Sequence, residues 1–169
     1  MSAMGLTIRE VHGQGVEELI PLLIAAEPSE RALRWGLAHL TDVTYRAELG
    51  GELVGAANMQ WRDDPCELME LAVAPGRRGQ GLGRQIVAWL LDEARRRGKR
   101  AMLVGSTNAA IGNIAFYQRC GFRMHEVRRD YFSYYERHSG GPVFEHGIQV
   151  RDMLVFRYDL ARRSTDSER

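Results

Sequence analysis

The sequence predicts an α/β (α+β) fold with a mixed, mainly antiparallel sheet flanked by helices. Three observations carry this. Two strand-like runs meet at Gly50-Gly51, a pair suited to a tight hairpin turn. An apolar strand ending at Val73 passes through a glycine-rich turn into a helical pattern in which Ile86, Val87, Leu90, Leu91 and Ala94 share one face. From there the chain alternates strand and helix up to residue 160.

In order, residues 6–11 alternate like a strand, and residues 16–26 show helical apolar spacing. Pro28 and Ser29 restart the chain into a helix over residues 30–40, with the serine as cap. Residues 43–49 and 52–61 form the hairpin arms, and residues 66–73 form the next strand. The helix over residues 83–97 ends in Arg95, Arg96, Arg97 and then Gly98. Cations at the negative dipole end followed by glycine mark a helix terminus rather than a nucleic-acid patch. Residues 101–106 read as a buried strand, 109–119 as a helix closed by Gly121, 122–129 as a strand and 152–160 as the last strand. Residues 1–160 are expected to form a single domain and residues 161–169 a polar C-terminal tail that frays.

A chain of 169 residues is long enough to bury one substantial core. With 23 basic and 22 acidic residues it has no overall field to draw nucleic acid or an anionic membrane, so any anion site must be local. No apolar run approaches membrane-spanning length. Cys66 and Cys120, in a chain without a signal-like start, point to a reducing, cytoplasmic setting; both read as packing residues.

Residues 68–83, LMELAVAPGRRGQGLG, are the most informative stretch. Gly79, Gly81 and Gly83 permit backbone geometries and close approaches that a side chain would block, so successive N–H groups can face one concavity. The helix that begins there adds unpaired N–H donors and a positive dipole end, and Arg77 and Arg78 add permanent charge. A P-loop is excluded, because the only lysine is Lys99. A dinucleotide fingerprint is disfavoured, because the glycines run GxGxG and residues 101–105 carry no acid for a ribose; a nucleotide-binding oxidoreductase would show affinity for NAD and none for coenzyme A.

What remains is Arg78, Gly81 and Gly83 in the pattern [QR]xxGxG, followed at a second strand-to-helix junction by NAAIGNIAFYQRCGF at residues 108–122. These two motifs in this order resemble the acyl-CoA-binding signatures of the GNAT (GCN5-related N-acetyltransferase) superfamily. The resemblance covers residues 43–160 well and the first forty residues by element order. A FExGIQxRDM-like stretch near residues 144–153 is similar to one in a bacterial subgroup of that superfamily.

The resemblance implies a V-shaped splay between two parallel strands, ending near Val73 and Gly105, that admits acetyl-CoA as co-substrate. It implies that backbone at Leu71, Ala72 and Val73 pairs with the pantetheine arm, and that Arg78, Gly79, Gln80, Gly81, Leu82, Gly83 and Arg84 wrap the diphosphate. Asn108 and Asn113 fix the pantetheine, or cap the helix. Tyr117 faces the coenzyme sulfur as a hydrogen-bond donor or acid; the competing reading is an aromatic core residue beside Phe116. A phenol with pKa about 10 lies only slightly above a thiol with pKa about 8.5, which makes the acid role feasible.

Glu70 is the candidate base and Glu67 the alternative, with a solvent-facing salt bridge open for either. Period-two counting puts Glu70 on a face with Leu68 and Ala72. Residues 130–153 are longer than a hairpin needs and rich in aromatics; Tyr131, Tyr134, Tyr135, Glu145 and His146 are expected to line or cover an acceptor pocket, or to pack a homodimer interface. His146 has no second ligand at metal spacing, and no metal is expected. The activity implied is acetyl-CoA-dependent N-acetylation of a primary amine on a small-molecule or amino-acid-like acceptor. Peptide or protein N-termini, and a non-catalytic acyl-CoA sensor of the same fold, are the alternatives.

Overall fold

The computed structural model describes residues 5–26, 29–133 and 141–160. Pro28, Tyr134, Tyr135 and the tail at 161–169 lie outside these residues. The first half comprises β1 (Leu6–Val11), two single-turn helices α1 (Gln14–Glu17) and α2 (Ile20–Leu23), α3 (Glu30–His39), and the hairpin β2 (Val43–Leu49) and β3 (Glu52–Gln60). Then come β4 (Cys66–Val73), α4 (Leu82–Arg96), β5 (Ala101–Thr107), α5 (Ile111–Arg119) and β6 (Arg123–Arg128). A small hairpin, β7 (Phe144–Glu145) and β8 (Ile148–Gln149), precedes the last strand, β9 (Met153–Asp159).

Seven strands form one mixed sheet in the order β1-β2-β3-β4-β5-β9-β6. Every neighbouring pair is antiparallel except β4 and β5. Gly50 and Gly51 hold φ of 59° and 84°, the positive values that a two-residue hairpin turn between right-twisted strands requires.

The helix expected over residues 16–26 is instead two separate turns. Pro21, in the first turn of α2, has no N–H to offer the carbonyl of Glu17 and its ring crowds that position, so the helix cannot run through. The apolar spacing still serves burial: Leu19, Ile20 and Leu23 pack with Leu33 of α3 over Ala56 and Ala72 on one face of the sheet. Ser29 caps α3 as expected, its hydroxyl accepting from the Ala32 N–H at 3.2 Å. On the opposite face Ile86, Val87, Leu90, Leu91 and Ala94 of α4 are buried against Met59, Met102, Val104 and Phe156, with Tyr117 of α5 in the same core.

The arginine run at the end of α4 is consumed locally. Arg95 pairs with Asp92, Arg96 with Glu93, and Arg97 with Glu93 and Glu10 while stacking 4.7 Å over the Trp61 ring. Cys66 is buried and Cys120 partly so, both as free thiols; burial pushes Cys66 up to about 11, which leaves it a packing residue.

Candidate active site

β4 and β5 pair only where Cys66, Glu67 and Leu68 meet Met102, Leu103 and Val104, although β4 runs on to Val73 and β5 to Thr107. Past Leu68 and Val104 the two strands part, which is the V-shaped opening that the resemblance implied.

The register of β4 against β3 also steps here: Asn58 faces Glu70 and Met59 faces Leu68, leaving Met69 as an extra, bulged residue. Period-two counting fails at this point. Leu68 packs into the core under α4, whereas Ala72 packs under the α3 side. Glu70 faces α3, where a β-carbon placed on Gly36 would stand 3.7 Å from Glu70 Oε1. The bulge therefore puts Glu70 opposite Leu68, and on the same face as Glu67, which alternates with the core residues Cys66 and Leu68.

Glu67 is held above the usual carboxylate range, chiefly by desolvation and against the pull of Arg128. A raised carboxyl means that the native state binds the proton more tightly than the unfolded chain, so stability falls as pH rises through the ordinary carboxylate range toward the folded pKa. Glu67→Gln is accordingly expected to match or exceed the parent in thermal stability at pH 7, with the parent gaining on it as pH drops toward 4. A variant that melts lower at pH 7 would contradict this.

After β4 the chain bends through a short 3-10 turn (Pro75–Arg77) and enters α4. Gly79 and Gly81 hold φ of 75° and 78°, and a side chain on either would meet nothing within 4 Å, so this stretch of backbone borders open space. Gly81 is the N-cap of α4 and no side chain caps the helix, which leaves its first N–H groups available for an anion.

Gly83 acts differently. A β-carbon there would come within 3.3 Å of the Phe116 ring and 3.4 Å of Val73, so its bareness lets the first turn of α4 close onto α5 and β4. Arg77, expected to serve the cradle, is instead bonded to Glu52. Arg78 and Arg84 are exposed, with Arg78 Nε donating to the Val73 carbonyl at 3.2 Å. Gln80 donates to the Gly76 carbonyl, and the Leu82 side chain is in the core, so at Leu82 only the backbone is left to meet an anion at the helix start.

Tyr117 lies in the core between Phe116, Phe122 and Phe156, 7% exposed. Burial pushes its phenol well above the usual range, with the charges of Cys120 and Glu70 adding to the shift. A phenol so placed keeps its proton and serves better as a hydrogen-bond donor than as a full acid.

Neither asparagine caps α5, at whose entry the Thr107 hydroxyl accepts from the Ala110 N–H at 3.1 Å. Asn113 is exposed in the first turn of α5. The Asn108 side chain is engaged elsewhere: its oxygen accepts from the N–H groups of Arg151 and Asp152, and its amide donates to the Gln149 carbonyl. It clamps the link between β8 and β9, a contact across more than forty residues.

The β7–β8 hairpin turns at His146 and Gly147, both with positive φ. It folds onto the β5–α5 junction, where His146 Nδ1 donates to the Ala109 carbonyl at 3.0 Å and Thr107 stands 3.4 Å from Glu145 Oε2. Tyr131 is half-exposed and packs edge-on against Phe132. Among the described residues no group of three or more His, Cys, Asp and Glu side chains could hold a metal, and no helix is long and apolar enough to cross a membrane.

Sequence reading missed Asn58 and Thr44. Asn58 donates to Glu70 Oε2 at 2.8 Å and accepts from the Thr44 hydroxyl at 2.8 Å. The available signal was an asparagine inside the otherwise apolar run VGAANM.

The seven-stranded mixed sheet with helices on both faces is the architecture of GNAT acetyltransferases. It superimposes with TM-score 0.80 on the crystal structure of a GNAT family acetyltransferase from Elizabethkingia anophelis with acetyl-CoA bound, covering 91% of this chain and 97% of that one at 26% identity. The chain matches the acetyltransferase (GNAT) family over residues 17–122 and belongs to it. Over 145 residues it is 32% identical to the uncharacterized N-acetyltransferase YvbK of Bacillus subtilis (strain 168), covering 85% of this chain and 90% of that one. It is also 34% identical over 123 residues to the aminoalkylphosphonate N-acetyltransferase of Salmonella typhimurium, covering 67% of this chain and 80% of that protein. The chain is an N-acetyltransferase.

Proposed function

We propose that this enzyme moves the acetyl group of acetyl-CoA onto the primary amine of a small-molecule or amino-acid-like acceptor. The observation that carries the reading is the course of the chain from a part-buried carboxylate at Glu70 on β4, through the bend at Pro75–Arg77, into an uncapped helix N-terminus at Gly81. The solved relative with acetyl-CoA bound supports the choice of donor.

In this reading the N–H groups from Gly79 to Arg84, with the Arg78 and Arg84 guanidiniums, hold the diphosphate. Backbone at Leu71 and Val73, on the edge of β4 that the splay frees from β5, holds the pantetheine arm, with Ala72 between them turned to β3, and binding draws Arg78 off the Val73 carbonyl. Bound acetyl-CoA supplies an activated acyl group as a thioester. Glu70 takes the proton from the acceptor amine, which is charged near neutral pH and cannot attack until it loses one. Tyr117 donates a hydrogen bond to the sulfur as negative charge builds there. Asn108 holds the β8–β9 link, and Asn113, at the α5 entrance, is a further contact for the pantetheine.

The acceptor approaches from the α3 side, where Glu70 Oε1 lies against Gly36. Near-neutral overall charge and a relative named for an aminoalkylphosphonate favour a small acceptor. Release of free thiol from acetyl-CoA with a panel of amines, free amino acids, aminoalkylphosphonates and short peptides tests this. Turnover with small amines is expected; turnover confined to peptides, or none that depends on an acceptor, contradicts it.

Tyr117→Phe is expected to lower kcat by about tenfold or more with acetyl-CoA affinity unchanged, since it removes one charge-directed hydrogen bond and no packing volume. Because the phenol titrates above its usual range, no loss of rate up to pH 9 should be traceable to it. Full kcat in the variant would return Tyr117 to a packing role.

A further inference from the structure

Thr44, Asn58 and Glu70 stand directly opposite one another in the β2–β3–β4 ladder, forming a polar row across three strands. Asn58 is 0% exposed and Thr44 4%, and the neighbours of Asn58 on its strand, Ala56, Ala57 and Met59, are all core residues. A buried amide in such a place is costly unless its hydrogen bonds are made.

The chemistry fixes the direction of the row. Asn58 Oδ1 can only accept, so the Thr44 hydroxyl donates to it; Asn58 Nδ2 can only donate, so Glu70 Oε2 accepts. The row ends at the position where the bulge at Met69 has turned Glu70 toward α3. Bulge and amide therefore act on one carboxylate: the first aims it, and the second holds Oε2, with Oε1 on the Gly36 side.

We propose that Asn58, backed by Thr44, is the positioning residue of the catalytic base, fixing Glu70 in one orientation and favouring its charged form. This rests on the reading of Glu70 as the base. An N–H donated to a carboxylate stabilises the ionised state and opposes the effect of burial. Tyr117, whose phenol senses the charge of Glu70, is a titratable group that bears on it from α5, and Glu67 stands on the same face of β4. Thr44 and Asn58 are themselves neutral, and within the row the N–H that Asn58 donates to Oε2 is what favours charge on Glu70.

The test is titration of the Glu70 side-chain carboxyl by carbon-13 NMR, its resonance assigned by its loss in Glu70→Gln. Asn58→Leu, similar in volume, is expected to raise the Glu70 pKa by about one unit or more, and Thr44→Val to raise it by less in the same direction. With the best amine from the acceptor panel, kcat of Asn58→Leu should fall at unchanged KM for acetyl-CoA, and the acid limb of kcat should move with the NMR value. Thr44→Val keeps the test decisive if Asn58→Leu fails to fold. An unmoved Glu70 titration in the folded variants overturns the role of Asn58 alone. Full turnover by Glu70→Gln overturns the base assignment and with it the catalytic meaning of the row.

Discussion

Glu70→Gln is expected to lower turnover with a primary amine by about a hundred- to ten-thousandfold, the range that a general base contributes. An acceptor amine with pKa near that of lysine, about 10.4, is almost fully protonated at pH 7, so the site must remove a proton before attack. Glutamine preserves the shape of the side chain and can still accept from Asn58 through its own carbonyl, so the sheet and the bulge at Met69 should be undisturbed. Acetyl-CoA affinity should therefore hold while kcat collapses, and the acid limb of the rate profile should vanish with the carboxyl. Glu67 provides the control. It shares the face of Glu70 on β4, but it sits in the half of the strand that is still paired with β5, before the V opens. Glu67→Gln should cost far less activity than Glu70→Gln; the reverse order would transfer the base to Glu67.

Gly81→Asp is expected to weaken acetyl-CoA binding by about a hundredfold or more, measured by calorimetry. Gly81 holds φ of 78° at the N-cap of α4, in the left-handed region that costs a side chain about 1–2 kcal/mol. Open space around it means the new carboxylate does not clash; it stands at the start of α4, where its charge would oppose a diphosphate held there, and like charges brought together cost several kcal/mol. Gly98→Asp separates the two effects. Gly98, beyond the other end of α4, has φ of 70° with nothing within 4 Å, so the variant carries comparable strain without charge at the cradle. It should lose stability and keep acetyl-CoA affinity. Equal loss of affinity in both variants would assign the effect to folding.

The parts of the fold that follow from local chemistry were readable from the chain. Gly50-Gly51 could only be a tight turn, the α4 stripe could only face a core, and the motif around Arg78, Gly81 and Gly83 could only be a bend entering a helix. Features that depend on partners distant in sequence were not. Nothing around Met69 announces a bulge, since a bulge is set by the register of β3, and that one residue parts Glu70 from Leu68 while leaving it on the face of Ala72. Arg77 looked free for phosphate until the fold brought Glu52 beside it. Asn108 looked like a ligand for the pantetheine because residues 149–152, which it clamps, follow some forty positions later. Pro21 was legible in principle: its missing N–H was enough to split residues 16–26 into two turns, and apolar spacing alone concealed it. Asn58 was legible too, as one polar residue in a strand of small and apolar ones.

The most direct test of the central claim is a crystal structure of the protein with acetyl-CoA at saturating concentration. The diphosphate is expected against the N–H groups between Gly79 and Arg84, the thioester in the opening between β4 and β5, and the sulfur beside the Tyr117 hydroxyl. Coenzyme bound elsewhere with that bend vacant, or no binding at all, would contradict it.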